Sequence, residues 1–311
     1  ALAFEADGIV LFGAEAKNEY AAGSPNAAAF YKRDMGNESF QRTIRGQVYT
    51  PTDLSATFLR LLVADAERVV GDALDGAVIT VPAYFGHAQV KATIDAAAQA
   101  GITVLSTIHE PTAAALAYGL DKADAERTVM FYDLGGGTFD VTIARISRST
   151  ITVLGSDGDH RLGGKDWDDA IARHVMTVLA DDHRIDVSED MSARTAILAR
   201  AEQLKRQLSA RRSATMSLVV AGRSVSVSLT QEEFTQLAEP LCSRTVDIVE
   251  VLFDGIGLGW ADIDAIILVG GSTKMPMIKT HLTGITDTKV EAGVNVDEAV
   301  ALGAAIKANA R

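Results

Sequence analysis

The run Asp133-Leu134-Gly135-Gly136-Gly137-Thr138-Phe139-Asp140 constrains this chain more than any other feature. An apolar stretch, Val129-Met130-Phe131-Tyr132, leads into it, and beyond it Phe139, Val141 and Ile143 alternate with Asp140, Thr142 and Ala144. A period of two means strand, so the glycines join two strands as a hairpin and do not open a helix. Three glycines let backbone N–H groups approach a phosphate without Cβ obstruction and take positive φ where the turn needs it. Two carboxylates beside a phosphate would repel it unless a divalent cation stood between them. Asp133 and Asp140 therefore imply magnesium, held partly through water because that ion dehydrates reluctantly. A tight turn with solvated aspartates would explain the glycines alone; an acid at both ends and a buried strand leading in favour phosphate. Two other nucleotide signatures are excluded. No G-x-x-x-x-G-K-[ST] occurs, and glycines that lead into a strand fail the dinucleotide-binding fingerprint.

Around this hairpin strand and helix alternate, which predicts an α/β layered fold. The first fifty residues are short and mixed, with turns at Asp7-Gly8 and Ser24-Pro25-Asn26, and Ala1-Leu2-Ala3-Phe4 reads as the middle of a strand. Apolar spacing predicts a helix over 52–71, and a buried strand, Ala77 to Val81, ends at Pro82. A helix over 88–100, a strand over 103–105 and a helix over 112–120 follow. Beyond the hairpin come a third strand (151–154), helices over 166–179 and 191–209, β segments at 215–220 and 224–229, and a long helix over 231–253. A strand from Ala265 to Val269, a Gly270-Gly271-Ser272 turn and a closing helix over 297–308 repeat the strand-then-glycine pattern, a loose internal duplication.

Charge narrows the partners. A net charge of −12 and a pI near 5.0 repel nucleic acid and acidic lipid, so neither is expected as a partner. An acidic chain that binds an anionic nucleotide must neutralise it locally. Cys242 is the only cysteine, so an internal disulfide is impossible and a reducing cytoplasm fits best. No window reaches the roughly 18 apolar residues of a membrane span, and no secretory signal pattern opens the chain.

Other candidates carry less signal. Gly270-Gly271-Ser272-Thr273-Lys274 allows a flat group such as adenosine to pack on backbone, and equally reads as a plain strand-to-helix turn. Glu202, Lys205, Arg206 and Ser209 share one helical face at i, i+3, i+4 and i+7. A carboxylate there can accept from ribose hydroxyls while Lys and Arg flank a base, but spacing alone favours a solvated, ion-paired face. Lys32, Glu110 and Pro82 say almost nothing by composition, and the six histidines show no metal spacing.

Taken together, the segments resemble the ATPase domain of the DnaK-type, seventy-kilodalton heat-shock chaperone family. The matching stretches, in family order, begin with Val81-Pro82-Ala83-Tyr84-Phe85, then Glu110-Pro111-Thr112-Ala113-Ala114-Ala115 with Ala117 to Lys122. The Asp133 to Asp140 run, Leu162-Gly163-Gly164-Lys165-Asp166 and Val269-Gly270-Gly271-Ser272-Thr273 follow, and Asp297-Glu298-Ala299-Val300 with Gly303-Ala304-Ala305 completes them. The resemblance implies an actin-like α/β fold, two lobes of four subdomains around a nucleotide cleft, with ATP or ADP and magnesium as cofactors. The first lobe would span 1–122, with a shortened upper subdomain (1–50) and a lower one (51–122). The second would span 123–311, its lower subdomain 123–162 and 239–311, its upper one 163–238. Lys32 would orient the attacking water; Glu110 and Asp133 would hold the hydrated metal and that water; Asp140 would support the metal shell. Thr138 would lie near the terminal phosphate, and Gly135, Gly136 and Gly137 would bind phosphate. Glu202, Lys205, Arg206 and Ser209 would clasp adenosine against Gly270, Gly271, Ser272 and Lys274, with Asp297 beside them.

Four departures qualify the likeness. The family's first phosphate hairpin is absent, because Ala1 matches a point just after it, and hydrolysis by the 311-residue chain is accordingly expected to be very low. The segment between Lys32 and Thr50 is shorter than the family's. Val90 stands where the family has an arginine after its Val-Pro-Ala-Tyr-Phe run, and with Pro82 it marks the expected interdomain route. Lys274 replaces an adenine-stacking arginine and lacks its planar guanidinium. The expected function is an ATP-hydrolysing motor that couples nucleotide state to client-peptide binding by an absent C-terminal domain, with J-domain and nucleotide-exchange co-chaperones as possible partners. An ATP sensor with little hydrolysis and an actin-fold small-molecule kinase are the alternatives.

Overall fold

A computed structural model describes all of the 311 residues except 38, 120–124, 148–149, 292–294 and 311. The end of the Ala117 to Lys122 motif and the 122/123 lobe boundary fall outside the described residues. The chain divides into two compact units: Ala1–Arg127 with Ala144–Ser156 and Gly293–Arg311, and Thr128–Ile143 with Asp157–Ala292.

The first unit opens with three short strands, β1 (Leu2–Phe4), β2 (Val10–Phe12) and β3 (Ala27–Ala28), in an antiparallel sheet ordered β2-β1-β3. Leu2 to Phe4 is thus strand, as the sequence predicts, while Ala1, expected within the same strand, stands just before it. Helix α1 (Ala14–Ala21) and the hairpin β4 (Arg42–Ile44)–β5 (Gln47–Tyr49) have no counterpart in the sequence reading. Both are too short for periodicity to register. Leu2, Ala28, Ile44 and Leu54 are buried together, with Phe4, Phe12, Tyr49 and Phe58 packed against them. Helix α2 (Pro51–Val70) begins at a capping box, in which Thr50 and Asp53 satisfy each other's backbone N–H, and Pro51 loses nothing in the first turn. It ends where Gly71 turns left-handed at φ 80°.

Strand β6 (Ala77–Val81), helix α3 (His87–Gln99) and strand β7 (Val104–His109) form a parallel β-α-β unit. β7 runs past the predicted 103–105, and α4 (Glu110–Ala117) begins two residues before the predicted 112, because Pro111 sits inside its first turn. The closing helix α9 (Ala299–Asn309) packs on α4 so closely that a Cβ at Gly303 would run into the Ala113 carbonyl.

The second unit holds β8 (Arg127–Leu134), the first half of β9 (Phe139–Ser147), β13 (Ala265–Val269) and β14 (Val290–Glu291), ordered β9-β8-β13-β14, while most of β10 (Thr150–Asp159) falls in the first unit. Its core strand β8 buries Val129, Met130, Phe131 and Tyr132. Tyr132 donates its hydroxyl to Thr245 Oγ1 at 2.7 Å, so the buried polar tip is satisfied. Helices α5 (Gly164–Asp181) and α6 (Met191–Ala210), the hairpin β11 (Ser213–Val220)–β12 (Arg223–Thr230) and α7 (Gln231–Ile256) match the predicted order. α8 (Pro276–Ile285) is additional; its apolar residues follow a proline at N1, and Met277, Ile278 and Leu282 face inward.

The Gly303 contact sets a test. Gly303→Ala should destabilise the first unit by at least about 1–3 kcal/mol through overpacking. Urea melts of the two proteins measure it, and an unchanged midpoint would show that α9 does not seat on α4 this way.

Candidate functional site

Parallel pairing of β8 with β13 puts Asp133 opposite Val269, so the turns after both strands leave the sheet at the same end. In open α/β sheets that carboxyl end is where ligands bind. The turns touch. A Cβ at Gly270, whose φ is 83°, would come within 2.5 Å of Asp133 Oδ1 and of the Leu134 carbonyl. Ser272 donates its hydroxyl to the Gly135 carbonyl at 2.8 Å, and Thr273 Oγ1 donates to the Gly270 carbonyl at 2.7 Å.

The N-terminus of α5 closes on the first turn from another side. Gly164 N–H donates to the Gly135 carbonyl and Lys165 N–H to the Gly136 carbonyl, both at 2.9 Å. Gly135 N–H donates to the Thr138 carbonyl at 3.0 Å. The loop's carbonyls are thereby turned inward onto protein donors. No protein acceptor takes the N–H groups of Gly136 or Gly137 among the described residues. An added Cβ at Gly136 would meet nothing within 4 Å, whereas one at Gly163 would lie 2.5 Å from the Gly137 backbone. One at Gly164 would strike Ser272 Oγ and Lys205 Nζ. Gly163 is therefore glycine because two backbones cross there, and Gly164 because two side chains press against it.

The four residues of the α6 face separate. Lys205 is only 9% exposed; its Nζ donates to the Gly164 carbonyl at 2.7 Å and pairs with Asp168 at 2.9 Å. Glu202 and Arg206 form an ion pair of 3.1 Å with Arg206 largely exposed, and Ser209 Oγ donates back to the Lys205 carbonyl at 3.0 Å. Asp168 was not singled out in the sequence, although its place one helical turn after Gly164 is the available signal. Gly271 and Lys274 are exposed on the 3-10 turn Gly271–Lys274, while Ser272 is buried.

Asp133 is half-buried at the end of β8 and Asp140 is buried at the start of β9. Among the described residues no three His, Cys, Asp or Glu side chains converge as a metal cage. Two carboxylates flanking outward N–H groups suit a cation that keeps most of its water, as magnesium does.

The remaining predicted residues belong to the first unit. Lys32, on the 3-10 turn Tyr31–Asp34, pairs with Glu110 at 2.9 Å, although 78 positions separate them. Glu110 is the first residue of α4, and its side chain is 13% exposed. Pro82 is buried directly after β6, and Val90 is half-buried in the first turn of α3. Asp297 is exposed just before α9, its N–H donating to Asn295 Oδ1 at 3.2 Å. A cavity of about 620 Å³ in this unit is lined by Phe4, Glu5, Ile9, Arg45 and Arg60 among others, and none of the predicted site residues reaches it.

Comparison with known proteins agrees with the motifs. The chain matches the family described as Hsp70 protein over residues 10–310. It is 42% identical over 307 residues to the chaperone protein DnaK of Halobacterium salinarum, in strains R1 and NRC-1 alike. Each alignment covers 97% of this chain and 49% of the relative, so the chain spans about half the length of the curated relatives it matches. With a family match over nearly its whole length, an α/β fold of the actin-like class and two glycine turns side by side, this chain belongs to the Hsp70 family.

Proposed function

We propose that this chain is the ATP-binding and ATP-hydrolysing part of a DnaK-like chaperone. The observation that carries the reading is the orientation of the first turn. Its Gly135 and Gly136 carbonyls are consumed by protein donors, which leaves the N–H groups of Gly136 and Gly137 for an anion. Backbone donors held in this way stabilise a phosphate's charge without reorganising when it arrives. Gly136, Gly137 and Thr138 are the phosphate residues in this reading; Gly135, expected from the resemblance to bind phosphate as well, has its N–H taken by the Thr138 carbonyl and serves to brace the turn. Asp133 and Asp140 hold hydrated magnesium, which would supply charge neutralisation and polarisation of the phosphate. Gly270, Gly271, Ser272 and Lys274 with Glu202, Lys205, Arg206 and Ser209 take the nucleoside in this reading, and Asp297 is the further nucleoside residue that the family resemblance implies.

Lys32 and Glu110 are the proposed water-orienting pair, and the supporting observation is their own contact. A half-exposed ammonium held by a more sheltered carboxylate keeps a fixed charge in place. The lobe boundaries at 1–122 and 123–311, with their upper and lower parts, remain part of the proposal. So does a route through Pro82 and Val90 to a client-peptide-binding domain, as do J-domain and nucleotide-exchange partners. A cytoplasmic location also belongs to the proposal. No helix among the described residues is long and apolar enough to cross a membrane.

The acid at the mouth of the turn gives the first test of this reading. In a full-length form of the protein, Asp133→Asn should leave nucleotide affinity within a few-fold and slow single-turnover hydrolysis by about 10²-fold or more. Equal loss of both, or of neither, contradicts the role given to Asp133. Lys32→Ala should likewise slow hydrolysis by roughly 10²-fold while ADP affinity holds. A loss of ADP affinity as large as the loss of rate would assign Lys32 to binding instead.

A further inference from the structure

The hairpin β11–β12 presents an edge that the proposed activity does not use. Its turn has positive φ at Ala221 (50°) and Gly222 (71°), the two-residue turn whose twist matches the flanking strands. Such a turn makes Val220 and Arg223 a hydrogen-bonded pair, and pairs then alternate along an antiparallel ladder. Val219–Ser224, Ser217–Ser226 and Thr215–Ser228 are therefore the non-hydrogen-bonded pairs. The backbone N–H and C=O groups of Ser224, Ser226 and Ser228 point away from β11. The sheet has two strands, and among the described residues no other backbone pairs with these serines. Val225, Val227 and Leu229 are buried beneath, and Ser224, Ser226 and Ser228 are exposed above. Solitary edges normally carry Lys, Pro or an inward-pointing charge, and residues 224–228 contain none of these.

The opposite edge is closed. Arg200 donates from Nη1 to the outward carbonyl of Ser217 at 2.5 Å, which occupies β11 where another strand would bind. One open edge and one blocked edge permit a pair of copies and forbid a growing filament.

The sequence of the open edge names its occupant. Ser224-Val225-Ser226-Val227-Ser228 reads identically in both directions. Antiparallel pairing with a second copy about Ser226 sets Ser224 against Ser228 of the partner subunit and Val225 against Val227 of the partner subunit. Each valine then stays on the buried face. The hydroxyl ladder, already joined at Thr215–Ser228 (2.9 Å) and Ser217–Ser226 (3.1 Å), continues across the new seam. Arg223 falls opposite Leu229 of the partner subunit, so like charges do not meet. A chain of net charge −12 repels its copies over most of its surface, and residues 203–230 hold no carboxylate side chain.

We propose that β12 pairs antiparallel with β12 of a second copy, making a four-stranded sheet across a two-fold axis at Ser226. One strand pair buries less than the roughly 1,200 Å² of a stable interface, so the association is weak and concentration-dependent.

Thiol cross-linking of the 311-residue chain tests the register. Residues facing each other in a hydrogen-bonded antiparallel pair lie about 5.5 Å apart at Cα, within disulfide range. Cys242 is only 3% exposed, so an introduced thiol is the reactive one. Under mild oxidation Ser226→Cys should accumulate as a linked dimer. Ser224→Cys alone should stay monomeric, and a mixture of Ser224→Cys with Ser228→Cys should link. Sedimentation of the unaltered chain should show its mass rising from 32.9 kDa toward twice that value with concentration. Ser226→Pro, which removes an outward N–H, should abolish the rise while far-ultraviolet circular dichroism stays unchanged. A monomer at every concentration overturns the proposal, as does linkage through Ser224→Cys alone or a rise that survives Ser226→Pro in the folded variant.

Discussion

The carbonyl of Gly135 is the point on which the second unit's site depends. Two donors reach it, Ser272 Oγ from the turn after β13 and Gly164 N–H from the start of α5. A single acceptor thus joins three segments that are far apart in sequence. Because that carbonyl faces inward, the peptide planes that follow it present their N–H groups outward. The electrostatic character of the turn follows from this arrangement more than from any side chain.

Holding the arrangement has a cost. Lys205 is buried, and a buried ammonium is unfavourable unless it is paired and hydrogen-bonded. Asp168 and the Gly164 carbonyl meet that requirement at 2.9 and 2.7 Å. Removing Asp168 would leave the charge uncompensated beside the loop it braces. The glycines at 163, 164 and 270 are demanded by the same crowding, since a methyl group at any of them would strike backbone or a bracing side chain. The hydroxyl of Tyr132, just upstream in β8, is likewise satisfied by Thr245, which keeps the strand fixed beneath the turn.

The fold was legible where periodicity is long. α2, α6, α7 and the β8–β9 hairpin declare themselves through apolar spacing and a glycine turn. The short elements did not, because three-residue strands such as β2, β4 and β5 carry too few positions for a pattern. The site was legible only in part. The Asp133 to Asp140 run announced itself, since its chemistry is local. The Lys32–Glu110 pair and the Lys205–Asp168 pair are tertiary, and nothing in the spacing of either indicates its partner. The family resemblance, not the residue spacing, selected Lys32, Glu110 and Lys205, and no sequence argument reached Asp168. The α6 face also shows why spacing misleads: four residues on one side of a helix divide between a buried brace and a solvated ion pair.

If the bracing of the Gly135 to Gly137 turn makes the binding site, disturbing the brace alone must weaken nucleotide binding. Gly164→Ala adds one methyl group where Ser272 Oγ and Lys205 Nζ now meet the α5 N-terminus. Calorimetric titration of ADP with magnesium into the unaltered chain and into this variant is the direct measurement, with near-ultraviolet circular dichroism confirming that both are folded. The predicted result is a Kd raised by at least about tenfold, some 1.4 kcal/mol. An unchanged Kd in a folded Gly164→Ala protein would contradict the account.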